Sequence, residues 1–200
     1  YVFTRTGTTW TQQAKLTAAD GSVNDCFGRS VALYGDTALV GSYLDDDNGS
    51  DSGSAYVFTR TGTTWILQAK FTAGDGASGD CFGGAVALYG DTALVGAYLD
   101  DDKGTDSGSA YIFTRTGTTW SQRTKLKAGS SFFGYSVALY GDTALVGSYG
   151  DIYASGSAYV FTRTGTTIWT QQAKLTAGYS DVAQGDNFGF SLALDGDTAL

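Results

Sequence analysis

The chain has 200 residues and a net charge of −8, and all 20 of its acidic residues are aspartate. It contains no histidine, glutamate, proline or methionine, but 29 glycines. Because glycine and aspartate are poor helix formers, this composition favours strands and turns. An acidic chain cannot neutralise a run of phosphates, which excludes nucleic acid as a partner. No apolar stretch approaches the roughly 20 residues of a membrane-spanning helix, so membrane insertion is not expected.

Two phrases recur through the chain. The first reads Tyr-Val-Phe-Thr-Arg-Thr-Gly-Thr-Thr-Trp and starts, with small changes, at Tyr1, Tyr56, Tyr111 and Tyr159. The second is Phe-Gly followed by a short apolar run and a Gly-Asp turn, and it starts at Phe27, Phe82, Phe133 and Phe188. Successive copies of the second phrase lie 55, 51 and 55 residues apart. This period is typical of propeller blades and other stacked arrays.

One repeat contains four predicted strands. Residues 27–33 and 38–41 are short apolar runs around Gly35-Asp36, which predicts a tight hairpin. A polar segment leads to a third run at 55–59, and a Thr-Gly-Thr-Thr turn leads to a fourth at 65–71. The second run is apolar on both faces and the fourth on one, as in a radial blade with its outer strand at the rim.

These strands predict an all-β fold, a β-propeller of four-stranded antiparallel blades. The expected division is a half-blade at 1–26, blades at 27–81, 82–132 and 133–187, and a half-blade at 188–200. Two arrangements fit it: a four-bladed ring closed by pairing of the two half-blades, or part of a larger propeller or array. Since the chain starts inside a repeat and without Met, we interpret it as a processed product or an excerpt.

The repeat resembles that of FG-GAP proteins, which include the propeller head of integrin α subunits and many bacterial surface and secreted proteins. Phe-Gly opens each blade, Leu-Val-Gly-Ser/Ala-Tyr ends its second strand, and Gly-Ser-Ala-Tyr-Val-Phe forms its third. The likeness is closest to the bacterial form and covers essentially the whole chain. It implies an extracellular or cell-surface location, a role in adhesion, ligand binding or assembly, and usually about seven blades.

The chain departs from the integrin-like pattern in two places. The calcium loop of those blades lies between strands one and two, where this chain has only Tyr-Gly-Asp-Thr. The Gly-Ala-Pro element is replaced by Gly-Ser-Tyr or Gly-Ala-Tyr, at 41–43, 96–98 and 147–149. The family's calcium ligands therefore cannot be transferred to this chain.

The acidic loops between strands two and three suggest a different metal site. Alternating carboxylates around a glycine-containing turn can converge on one hard cation. We therefore consider calcium binding at Asp45, Asp47 and Asp51, and at the equivalent Asp100, Asp102 and Asp106. The third full repeat has a single carboxylate in this loop, which favours the alternative of a solvated acidic loop.

Charge is distributed unevenly between the two sides of a blade. Fifteen of the 20 aspartates fall in the connections on one side. The hairpin turns on the other side carry four arginines in equivalent positions, Arg5, Arg60, Arg115 and Arg163. A propeller with one acidic face and one face that bears these arginines could stack face to face into a filament, with the arginines as an assembly face. The alternative is that each arginine pairs with a nearby aspartate.

Three further residues are candidates for modification or cross-linking. Cys26 and Cys81 are equivalent in successive blades, so a disulfide would have to join neighbouring first strands; buried free thiols are favoured. Asn48 opens an Asn-Gly-Ser glycosylation sequon on the acidic loop.

Catalysis is not expected, because without His or Glu there is no ordinary triad and every aspartate pair lies in a repeated loop. We predict a non-catalytic propeller that binds a protein or glycan surface ligand. The alternative is a structural subunit that self-associates into an extracellular filament or surface coat. Apart from calcium, no cofactor is expected.

Overall fold

A computed structural model describes residues 1–151, 155–178 and 185–200. The described chain begins with a hairpin of β1 (Val2–Thr6) and β2 (Thr9–Ala14). The first four-stranded sheet contains β3 (Ser30–Tyr34), β4 (Thr37–Ser42), β5 (Ser54–Thr61) and β6 (Thr64–Phe71). The second contains β7 (Phe82–Tyr89), β8 (Thr92–Ala97), β9 (Ser109–Thr116) and β10 (Thr119–Leu126). The third contains β11 (Ser136–Tyr140), β12 (Thr143–Ser148), β13 (Ser157–Thr164) and β14 (Ile168–Leu175). A short hairpin of β15 (Leu194–Asp195) and β16 (Thr198–Ala199) follows.

These sheets confirm the prediction of four-stranded antiparallel blades. In each one, consecutive strands pair in order, as in an up-and-down blade. The second strand is the most enclosed: every residue of β4 and β8 is buried, whereas the outer strand β6 is mostly exposed or half-buried. The second strand is thus enclosed on both faces and the fourth strand lies at the rim, as the apolar pattern of the sequence predicts.

The tight turns between strands depend on a glycine at the first turn position. Gly35, in the turn between strands one and two, has a φ of 56°, and Gly62, between strands three and four, has a φ of 63°. Each is the first of two residues between paired strand ends, the position at which a type II′ turn requires positive φ. The turn type matches the strand twist, so the register of both hairpins is fixed locally.

Successive blades pack through their first strands. β7 lies between β3 and β11, and buried side chains of neighbouring blades form continuous apolar clusters across the two boundaries. Val86 and Leu88 of β7 are 9% and 7% exposed, but the equivalent Val31 and Leu33 of β3 are 69% and 65% exposed. The difference arises because a complete blade precedes β7, whereas only the β1–β2 hairpin precedes β3.

The two terminal hairpins form separate sheets in the described residues. β16 does not pair with β1, and its neighbour Leu200 instead exchanges backbone hydrogen bonds with Ala193. In the described residues β16 therefore pairs with β15 along one edge only, and no hydrogen bonds join its other edge to β1. Both predicted arrangements, a four-bladed ring and a part of a larger propeller or array, stay predictions.

Glycines bring the backbones of neighbouring blades into direct contact. Phe82 N–H donates to the Ser52 carbonyl at 3.0 Å, and Gly53 forms a parallel bridge with Phe82. The same bridges join 108 to 133 and 156 to 188. A Cβ built on Gly41 would overlap the carbonyl oxygen of Gly83. The Phe-Gly phrase thus packs against glycine backbone, because the Cβ of any larger residue there would overlap the neighbouring blade.

We expect Gly96→Ala to destabilise the protein by about 3 kcal/mol, because its Cβ would overlap the Gly134 carbonyl of the next blade, which cannot move without disturbing the sheet. The control is Gly74→Ala, whose Cβ would meet only the flexible Gln122 side chain at 3.4 Å. Urea unfolding of both variants measures the difference. Equal free energies of unfolding for the two variants would contradict the proposed interface.

Candidate functional site

The acidic loop of the first blade surrounds a lysine of the outer strand. Lys70 Nζ lies 2.8 Å from Asp20 Oδ2, 3.2 Å from Asp45 Oδ2 and 2.6 Å from Asp47 Oδ2. Asp45 is only 3% exposed, and its carboxylate also accepts hydrogen bonds from Tyr56 Oη at 2.8 Å and Ser54 Oγ at 2.9 Å. The ammonium group of Lys70 is thus the counter-ion of this cluster.

The second blade repeats this arrangement. Lys125 Nζ lies 2.8 Å from Asp75 Oδ2 and 2.6 Å from both Asp100 Oδ2 and Asp102 Oδ2. Tyr111 Oη donates to Asp100 at 2.9 Å. In the third blade, Lys174 pairs with Asp151 at 2.6 Å. We call these three groups, centred on Lys70, Lys125 and Lys174, the lysine clusters.

The structure does not bring the predicted calcium ligands together as a set. Asp45 and Asp47 face Lys70, and Asp100 and Asp102 face Lys125, but Asp51 and Asp106 occupy turn positions with φ of 56° and 52°. Aspartate is one of the few residues that tolerate this left-handed conformation. Within 1–151, 155–178 and 185–200, no group of three acidic, His or Cys side chains has metal-binding geometry. Calcium binding at these loops stays a prediction.

The lysine clusters shift the pKa values of their members. The hydrogen bond from Lys125, and then that from Lys127, lowers the pKa of Asp102 to about 2. The hydrogen bond from Lys70 lowers the pKa of Asp20. Burial by itself would raise the pKa of Asp75, but the hydrogen bond from Lys125 lowers it overall. The clusters are therefore stable in their charged form at neutral pH.

The arginines of the hairpin side are paired within their own blades. Three hairpin-turn aspartates accept from arginine Nε: Asp36 from Arg60 at 2.8 Å, Asp91 from Arg115 at 2.7 Å and Asp142 from Arg163 at 2.7 Å. Arg115 and Arg163 also donate to Thr37 and Thr92 of the preceding blade, both at 3.1 Å. Arg5 lies over the Trp10 ring. Self-association through this assembly face stays a prediction, but these ion pairs reduce its charge.

The remaining predicted residues lie apart from one another. Cys26 and Cys81 are free thiols, the first exposed and the second buried. They occupy a left-handed position that directly precedes each Phe-Gly phrase. Asn48 is exposed, and its side-chain amide donates to the Ala73 carbonyl at 3.2 Å. Glycosylation of Asn48 stays a prediction.

A pocket of about 430 Å³ lies where the first strands of successive blades meet. We call it the inner-strand pocket. Its wall contains Arg29, Tyr43, Tyr98, Tyr135 and Phe190, together with serines at 30, 136 and 191. The Tyr135 ring contacts those of Tyr98 and Phe190 at centroid distances of 5.3 and 4.9 Å, and the Arg29 guanidinium lies over Tyr43. The pocket combines aromatic faces with hydroxyl groups and one cation.

The blades differ from one another at one position of this pocket. The residue after Phe-Gly is Arg29, Gly84, Tyr135 and Phe190 in the four successive copies, and all four line the pocket. Elsewhere the same strand keeps its Ser/Ala-Val/Leu-Ala pattern. The pocket therefore combines side chains from several repeats in a set that no single repeat contains.

The sequence interpretation missed both the lysine clusters and the inner-strand pocket. A signal for the lysines was present, because Lys15, Lys70, Lys125 and Lys174 recur at one position of the outer strand. A fourth run that is apolar on only one face predicts a polar environment for these lysines, but it does not indicate which aspartates they contact. The pocket had a weaker signal in the variable residue after Phe-Gly.

The blades, their order and their glycine contacts define a repeat protein of the β-propeller class. The chain belongs to the FG-GAP repeat family, whose pattern matches residues 10–58, 65–113, 120–161 and 169–200. FG-GAP repeats are associated with extracellular adhesion and ligand-binding propellers, occur in extracellular and surface proteins, and are typically non-enzymatic. No curated protein matches the chain. None of the described helical residues forms a helix long and apolar enough to cross a membrane.

We expect Lys125→Met to reduce the free energy of unfolding by about 3 kcal/mol, because it leaves the buried Asp100 carboxylate without its ammonium partner. Lys127→Met is the control: it removes a lysine that binds the more exposed Asp102, and we expect a loss below about 1 kcal/mol. Chemical denaturation at neutral pH compares the two. Similar losses would show that the buried cluster does not depend on its lysine.

We expect the protein to lose stability as the pH falls from about 4 to about 2. The lowered pKa values of Asp20, Asp75 and Asp102 mean that the unfolded chain binds protons more readily there than the folded chain. Their contribution is thus complete above the unfolded pKa, near 4, and is lost as pH falls through the folded values. Urea midpoints across this range measure it. A midpoint that rises on acidification would contradict the charged clusters.

Proposed function

We propose that this protein is a non-catalytic extracellular propeller that binds a surface ligand, a glycan in the first instance, in the inner-strand pocket. The observation that carries the proposal is the divergence of the blades at this pocket. Arg29, Tyr135 and Phe190 replace one another at a single repeat position while the surrounding strand is maintained. A position that only supported the blade would be expected to keep one residue.

The chemistry of the pocket supports a sugar ligand. Aromatic faces bind the apolar face of a sugar ring, and in the pocket the Tyr135 ring contacts both Tyr98 and Phe190. Ser30 and Ser136 line the same wall; their hydroxyls donate to the Gly83 and Gly189 carbonyls, so their oxygens can accept hydrogen bonds from sugar hydroxyls. Small-ligand sites typically have this combination of apolar surface and a few placed polar groups.

The acidic loops support binding over catalysis. Their buried carboxylates, Asp45 and Asp100, already interact with lysine, tyrosine and serine. A general acid or base must exchange a proton with a substrate, whereas the oxygens of these carboxylates already accept hydrogen bonds from an ammonium group and from hydroxyl groups of the protein. This arrangement is suited to a rigid rim around a binding surface.

Stacking into a filament is the second function predicted from sequence. It receives less support, because three of the four arginines of the assembly face, Arg60, Arg115 and Arg163, are paired with Asp36, Asp91 and Asp142. The particle size of the purified chain, measured with calcium and with a chelator, distinguishes the two functions. A monomer under both conditions would exclude stacking.

We expect the labelled protein to bind a subset of glycans on an array, and Tyr135→Ser to weaken that binding about tenfold, because one stacking ring is lost. Phe190→Ser tests the adjacent ring. The control is Tyr34→Ser, which removes a similarly exposed ring that contacts Tyr89 outside the pocket. Equal weakening by all three variants, or no glycan binding by the wild type, would contradict the proposal.

A further inference from the structure

A second pocket lies between the second and third blades, on the hairpin side. It has a volume of about 590 Å³ and is lined by three arginines, Arg115, Arg123 and Arg163, with Asp91 and Asp142. Threonine hydroxyls at 92, 114, 116, 166 and 167 complete much of its wall. We call it the arginine cleft. Its lining of cations and hydroxyl groups differs from the aromatic wall of the inner-strand pocket.

One of the three guanidinium groups is not neutralised. Arg115 and Arg163 form ion pairs with Asp91 and Asp142. Arg123 donates from Nε to Thr114 Oγ1 at 2.8 Å, and no carboxylate of the described residues lies within ion-pair distance of it. The cleft therefore carries an excess positive charge, on a chain whose net charge is −8.

The preceding blade boundary provides a matched comparison. The equivalent cleft between the first and second blades is lined by Arg60, Arg115, Asp36 and Asp91, with Gln68 where the arginine cleft has Arg123. Its two arginines and two aspartates balance. The excess charge is thus specific to the boundary between the second and third blades and does not follow from the repeat.

The arginine at this position removes a hydrogen bond between blades. Trp65 Nε1 donates to Gln13 Oε1 at 2.9 Å, and Trp120 Nε1 donates to Gln68 Oε1 at 2.8 Å. The equivalent acceptor for Trp169 would be residue 123, but arginine has only donors. Among the described residues, Trp169 Nε1 is a buried polar atom without a hydrogen-bond partner.

An unpaired buried donor destabilises a fold, and such departures from a local rule concentrate at functional sites. A glutamine at 123 would satisfy Trp169, as glutamines do at the two preceding boundaries. Arg123 therefore reduces stability while adding a free guanidinium to a cleft. This exchange is expected where the guanidinium binds a ligand.

We propose that the arginine cleft binds an oxyanion, a carboxylate or sulfate group, through the guanidinium of Arg123. Because Arg123 Nε donates to Thr114, its two Nη groups are the donors that can bind two oxygens of a carboxylate or sulfate with parallel hydrogen bonds, which gives both affinity and orientation. The threonine hydroxyls of the wall can donate to the remaining oxygens. The nearby carboxylates of Asp91 and Asp142 already bind arginine, so they do not occupy Arg123.

The test uses two reciprocal variants. Arg123→Gln restores the glutamine of the other boundaries, and Gln68→Arg introduces arginine at the first one. Sodium sulfate and glucuronate are titrated separately into ¹⁵N-labelled protein at constant ionic strength, with glucose as the neutral control. The tryptophan indole resonances report on binding, and Trp169→Phe assigns the resonance of that residue.

We expect Arg123→Gln to weaken anion binding about tenfold, since one charge-assisted interaction is lost, and to raise the melting temperature because Trp169 gains an acceptor. Gln68→Arg should lower the melting temperature and add an anion response at Trp120. Sulfate and glucuronate distinguish the two oxyanions, and binding of either supports the site. Unchanged affinity in Arg123→Gln, or an equal response to glucose, would overturn it. Neither outcome depends on the inner-strand pocket.

Discussion

The architecture depends on how closely the backbones of successive blades approach one another. The Phe-Gly phrases at Phe82, Phe133 and Phe188 pair with glycine backbone of the preceding blade, through bridges such as that between Gly53 and Phe82. Side chains are absent at the contact, so the backbone amides can reach carbonyls across the boundary. The phenylalanine is then enclosed, as Phe82 and Phe133 are completely buried. Every apolar cluster between blades relies on this spacing.

Lysines within the blades neutralise part of the negative charge of the acidic loops. Each blade carries an outer-strand lysine that reaches back to the aspartates of the loop before its third strand. Tyr56, Tyr111 and Tyr159 donate hydrogen bonds to the same carboxylates. A buried carboxylate without such partners would be costly, so the lysine clusters allow acidic loops to be folded rigidly against the blade. This accounts for a strong acidic bias in a closely packed structure.

Because the blades are nearly identical in sequence, a position at which one of them differs is informative about function. At most positions the four copies agree, because the same contact has to form at every boundary. Two of the positions that depart from this rule line pockets: the residue after Phe-Gly, in the inner-strand pocket, and Arg123, which leaves Trp169 Nε1 unpaired. At the first position the side chain changes without an evident structural cost. At the second position the change to arginine removes a hydrogen bond. Both are places where a ligand can recognise one part of the repeat.

The blade, its strand order and its turns could be predicted from the sequence, because they depend on local patterns such as Gly35 in a tight turn and the double-sided apolar run of β4. The pairing of Arg60 with a nearby aspartate was one of the two alternatives that the sequence left open. The position of Lys70 among Asp20, Asp45 and Asp47 could not be predicted in this way, since these residues come from separate segments that only packing brings together. The same holds for Arg123 and Trp169, on strands of different blades. Local periodicity specifies a strand, but the distance between two charges on different strands follows only from the assembled fold.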